Sequence, residues 1–158
     1  MTTPHERLRD LGVTLPAAPA PLASYVATRL VPISDGRAMV YVAGQVSREG
    51  DRILSGRCPD EVSVEEAIRR ARLCALNVLA QLEAAAGLDN VEQIVQLIGF
   101  VLSADGFGEQ PKVINGASDL LVDVLGDAGR HTRAALGANA LPLSATVEIA
   151  AVAVVRTR

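Results

Sequence analysis

Apolar positions along the chain alternate between two periods. Val64, Ala67, Ile68, Ala71, Ala75, Val78, Leu79 and Leu82 recur at steps of three and four, the stripe of an amphipathic helix. Ser63 with Glu66 three residues on predicts a capping box at its start, and Gly87 predicts its end. A second helix is predicted over 109–125, with Val113, Ala117, Leu120, Leu121 and Val124 inward and Gly126 as its stop. Residues 25–34 and 37–47 are β-branched runs separated by Asp35-Gly36, a strong hairpin signal. Further strands are predicted at 52–55, at 92–102 with both faces buried, and at 145–156. Residues 5–14 predict a short helix, and the following segment, with Pro16, Pro19 and Pro21, predicts an extended surface run.

Hairpin, helix, strand, helix, strand is an α+β order with two helices on one face of a mixed sheet, since crossovers of one hand place both helices on the same side. Val40, Val42, Ile94, Leu97 and Val152 are too many to be covered by two helices. Oligomerisation across the open sheet face is therefore expected.

At 158 residues and 49% hydrophobic, the chain supports one domain with a core of Val, Leu, Ile and Ala, aromatics being only 3%. Residues 1–24 form an N-terminal extension to it. A net charge of −3 argues against a nucleic-acid binder, and the Arg69, Arg70, Arg72 cluster follows Glu65 and Glu66 as the solvated face of a helix. Cys58 and Cys74 have no metal or redox spacing. No secretory or membrane-spanning segment is evident, so a cytoplasmic protein is expected.

The chemistry concentrates near the end of the chain. Arg133 stands at the mouth of an apolar segment, and Glu148 interrupts a run flanked by Val147, Ile149, Ala150 and Val152. A carboxylate is costly to bury in such a strand unless it has a use. On neighbouring strand ends, the two could hold an organic acid and activate a water beside it. Their plainer reading is a structural salt bridge at a subunit boundary.

An arginine eight residues before Leu141-Pro142, then Val147-Glu148-Ile149, with Ala43-Gly44-Gln45 ending an early strand and Asn115 in the second helix, resembles the Rid (reactive intermediate deaminase, YjgF-like) superfamily. The opening ERLRDLGVTLPAAPAPLASY and the segment QPKVINGASDLLVDVLGDAGRH resemble its longer branch. The resemblance implies a chorismate-mutase-like fold, a homotrimer with an inner sheet barrel, and ligand pockets between subunits. It implies that Arg133 binds the carboxylate of a 2-imino acid and that Glu148 positions a water. Tyr25, Gly44 and Asn115 match pocket residues. Ala135 stands where the deaminases often carry cysteine, and Ala43 where they carry serine.

The implied function is hydrolysis of 2-imino or enamine acids without metal or cofactor, arginine gripping both carboxylate oxygens and glutamate relaying the water's proton. The alternative is a non-catalytic binder of a small carboxylate such as a 2-oxo acid. RNA cleavage, a label the superfamily also carries, fits poorly with an acidic chain of few aromatics. Chorismate mutase activity has no visible second carboxylate handle. Tyr25 could equally be an interface anchor, Asn115 a local cap, Gly44 a packing contact, and His131 a loop residue.

Overall fold

The computed structural model describes residues 1–157. Helix α1, Pro4–Asp10, opens with a complete capping box between Thr3 and Glu6 and buries Leu8. The proline-rich strap that follows is extended, and Gln81 Nε2 donates to Pro19 O at 2.7 Å to pin it. Strands β1 (Thr28–Ser34) and β2 (Arg37–Val46) form the expected hairpin. Asp35 and Gly36 both have positive φ (48° and 70°), as a type I′ turn requires. The strand expected at 52–55 is only β4 (Arg52–Ile53), paired with β3 (Arg48–Glu49) in a separate ribbon.

Helix α2, Val64–Ala86, runs from Ser63 to Gly87 as its stripe predicts. The capping box is only half made. Ser63 Oγ accepts from Glu66 N–H, but the Glu66 side chain turns instead to Arg69 and Arg70, whose hydrogen bonds hold its carboxyl down at about 2. Strand β5 (Val91–Leu102), helix α3 (Gln110–Leu125), strand β6 (Thr132–Ala138) and strand β7 (Val147–Arg156) complete the fold. β6 is an addition to the predicted elements: it pairs parallel to β5 through the α3 crossover.

The sheet order is β1-β2-β7-β5-β6, mixed, with α2 and α3 against one face and α1 packed beside α3. Gly116 allows the two long helices to approach closely, since a Cβ there would lie 2.2 Å from Ile68 O. The core is aliphatic, including Val40, Val78, Leu79, Leu82, Ile94, Leu97, Leu120, Leu121 and Ile149.

Two expectations are corrected. Val40, Val42, Ile94 and Leu97 are all buried in the helix-covered core, and only Val152 of that set is partly exposed. Strand β5 is not buried on both faces either: Val95 and Gln96 are exposed, while Ile98 and Phe100 are half-buried. Bulges at Val91/Gln93 and Ile94/Gln96 shift its alternation, so that Ile94 and Leu97, three apart, both turn inward. The uncovered face is nevertheless apolar. Its cross-strand rows include Val31–Met39–Val154, Tyr41–Val152, Ala150–Ile98–Ala134 and Glu148–Phe100–Leu136.

Among the described residues, no helix is long and apolar enough to cross a membrane.

Candidate functional site

Glu148 lies where alternation puts it. Val147, Ile149, Ala151, Ala153 and Val155 are buried under the helices, so Glu148 faces the opposite side of β7, beside Val46 of β2 and Phe100 of β5. There β2 bulges between Val42 and Gln45. Gln45 Nε2 folds back onto Ala43 O at 2.9 Å and holds the irregular backbone. Gly44 is required by what sits on it, because a Cβ would lie 2.1 Å from Glu148 Oε1.

The strap closes over this point. Tyr25 Oη accepts from Leu22 N–H at 3.1 Å, which leaves the phenol proton free to donate. Leu22, Tyr25, Val26, Gly44, Pro142 and Glu148 line a cleft of about 500 Å³, the size of a small-molecule site. No side-chain hydrogen bond or ion pair reaches the Glu148 carboxylate among the described residues. Burial against these apolar groups pushes its pKa above the ordinary carboxylate value. Replacing Gly44 by Ala must displace the carboxylate from this seat. Gly44→Ala is expected to bring the Glu148 pKa back toward the ordinary value, followed by the carboxyl carbon shift against pH in NMR; an unchanged midpoint would contradict this seating.

Arg133 is elsewhere. It lies on β6 opposite Leu97, a buried residue facing the helices, and its guanidinium runs along α3. Its NH1 group donates to Ser118 Oγ at 3.0 Å and its NH2 group to Pro111 O at 2.9 Å. Arginine has five N–H donors, so three remain, and among the described residues no carboxylate pairs with it. Asn115, exposed, falls between Pro111 and Ser118 on the same helix face, four residues after one and three before the other. Ala135, two residues on from Arg133, shares its face of β6 and packs on the core.

The expected site residues thus separate into two groups. Tyr25, Gly44 and Glu148 converge at the β2 bulge, with Ala43 beside them. Arg133, Asn115 and Ala135 gather at the β6–α3 edge. β5 lies between β6 and β7, so the arginine and glutamate are not on neighbouring strands, and they face opposite sides of the sheet. Within one copy, therefore, Arg133 and Glu148 form no salt bridge.

Two further residues belong to the second group. His131 Nε2 lies 2.9 Å from Ser118 Oγ and its Nδ1 2.6 Å from Gly129 O. The spacing His131-x-Arg133 signals a shared face once residues 132–138 are recognised as a strand. For Ser118 only its place three residues after Asn115 offered a hint.

Residues 5–154 match the family described as "YjgF/chorismate_mutase-like, putative endoribonuclease". Protein TCP17 of Trypanosoma cruzi is 41% identical over 145 residues, 90% of this chain and 88% of that protein. The crystal structure of Atu1372 from Agrobacterium tumefaciens, a protein with unknown function, is similar with a TM-score of 0.85 and 43% identity, covering 96% of this chain and 92% of that one. The structure of E. coli TdcF with bound serine is similar with a TM-score of 0.59 and 26% identity, over 89% of this chain and 94% of that one.

Proposed function

The chain belongs to the YjgF/chorismate-mutase-like family, and we propose that it hydrolyses 2-imino or enamine acids at a site completed between two copies of the chain. The observation that carries this reading is the division of the site. One half offers a cation with unspent donors on the helix side of the β6 edge. The other offers a desolvated carboxylate in an apolar cleft on the open sheet face. Neither is a catalytic site alone, and the apolar open face supplies the reason for copies to associate. A homotrimer with the sheets inward brings the β6 edge of one copy to the Glu148 cleft of the next.

In such a site Arg133 holds the substrate carboxylate with two of its three remaining N–H groups. Glu148 of the adjoining copy accepts a proton from water as the oxygen bonds to the C=N carbon and the C=N π electrons move to nitrogen. Glu148 returns that proton to nitrogen, giving the carbinolamine, and then relays the hydroxyl proton to nitrogen as well, so that the C=O bond forms as the C–N bond breaks and ammonia leaves a 2-oxo acid behind. A carboxyl whose pKa is raised by burial suits both directions of that transfer. Tyr25 has a phenol proton to offer the developing amine or the water. With Ala135 in place of a thiol, the backbone amide remains but no nucleophile is present, which is consistent with a water mechanism.

Serine bound to TdcF shows that relative accepting a molecule with a carboxylate beside a nitrogen-bearing carbon, and the same observation supports the second reading, a non-catalytic carboxylate binder. RNA cleavage is disfavoured by the placement of the histidines. His5 pairs with Glu83 at 3.4 Å and His131 with Ser118 and Gly129, so they do not meet as an acid–base pair. Wild-type protein is expected to speed the loss of 2-iminopropanoate, generated by an amino-acid oxidase and followed by semicarbazide trapping. Binding of pyruvate without any acceleration would leave the binder reading in its place.

A further inference from the structure

Resting on Arg133 as the carboxylate anchor, we propose that Ser118 and His131 are positioning residues that fix the guanidinium plane through a one-directional hydrogen-bond chain. The direction follows from the chemistry of the end groups. Gly129 O only accepts, so His131 Nδ1 carries the proton that reaches it at 2.6 Å. In the neutral ring Nε2 is then an acceptor, and it takes the single hydroxyl proton of Ser118 at 2.9 Å. Arginine only donates, so its NH1 group donates to a lone pair of the same Ser118 oxygen at 3.0 Å. Every group in the chain has one consistent role, and no rotamer of the Ser118 hydroxyl is left free.

The second tether, from the NH2 group to Pro111 O, sits about two helical turns from Ser118 on α3. A single tether would let the guanidinium swing about one contact. Two contacts on different nitrogens define its plane, and thereby the direction of the three N–H groups that remain. A bidentate grip depends on that direction more than on charge alone. The device also gives His131 a use without making it an acid or base: it orients the serine that orients the arginine.

The test measures Kd for pyruvate by calorimetry, and KM and kcat for 2-iminopropanoate, on the full chain. Ser118→Ala and His131→Leu are expected to raise Kd and KM by roughly five- to tenfold, within the net range of one ordinary hydrogen bond, since neither touches the substrate itself. Their kcat should stay within about twofold. Ser118→Thr keeps the hydroxyl, and His131→Gln places an amide oxygen where Nε2 accepts; both are expected to return the constants to near wild type. Should Ser118→Ala melt too low to assay, the His131 pair carries the same comparison. If Arg133→Ala weakens binding while Ser118→Ala and His131→Leu leave Kd and KM unchanged, the positioning role is wrong and the anchor stands. A fall in kcat with KM unchanged would also overturn it. If Arg133→Ala itself leaves Kd and KM unchanged, the anchor reading fails and this inference falls with it.

Discussion

Glu148→Gln is expected to lower kcat for imine hydrolysis by about 10²- to 10⁴-fold, the range of one positioned general base, with the Kd for pyruvate unchanged or tighter. The amide has nearly the same shape, so the seat over Gly44 and the apolar cleft persist, but it cannot take the water's proton. A binder would show the affinity result alone. The pH dependence follows from the direction of the shift. Burial raises the folded-state pKa of Glu148, and the working form is ionised, so activity falls as pH drops through a value above the ordinary carboxylate range. Stability runs the other way. Between the unfolded and the raised folded pKa the native state binds the extra proton, so this residue's contribution to stability falls as pH rises through that window. At neutral pH the buried charge is a net cost. Glu148→Gln should therefore raise the melting temperature at pH 7, and by less at pH 4. A melting temperature that drops at pH 7 would show that the carboxylate holds the structure together.

Arg133→Ala is expected to raise Kd for pyruvate and KM for 2-iminopropanoate by about 10- to 100-fold, the loss of a charge-assisted bidentate contact. The fold should tolerate the change. Among the described residues Arg133 has no acid partner, its two acceptors are one hydroxyl and one carbonyl, and the loss of two bonds of about 1 kcal/mol each lowers the melting temperature by about 4–8 °C. Arg133→Lys separates charge from geometry. A single ammonium keeps the attraction but cannot form the planar fork, so its affinity should lie between those of wild type and alanine. Strong destabilisation of Arg133→Ala, with unchanged affinity in the folded fraction, would make the residue structural.

How far these residues could be read from the chain depended on the period of each element. Helix α2 was legible because its stripe runs from Val64 to Leu82 between a cap and a glycine. Glu148 was legible as an anomaly because β7 alternates cleanly around it. Strand β6 was not. Its sequence TRAALGA is rich in alanine and glycine, which favour strand poorly, and its pairing with β5 is set by the α3 crossover rather than by local preference. With β6 unread, the faces of Arg133 and His131 were also unread. Parity decides the face, and in a strand one residue of register reverses it. The same limit explains Ile94 and Leu97, where two bulges in β5 override simple alternation. Family resemblance pointed to Tyr25, Gly44, Asn115, Arg133 and Glu148, but only the folded chain shows that they lie in two separate groups on opposite sides of the sheet.

Mixing two inactive variants tells whether one site is shared between two copies. Arg133→Ala and Glu148→Gln chains are co-expressed with different tags, and oligomers carrying both are isolated. If each site takes Arg133 from one copy and Glu148 from the next, every mixed trimer keeps one intact site of its three, and about a third of wild-type hydrolysis should return. Mixed oligomers that form and remain as inactive as either parent would contradict the account.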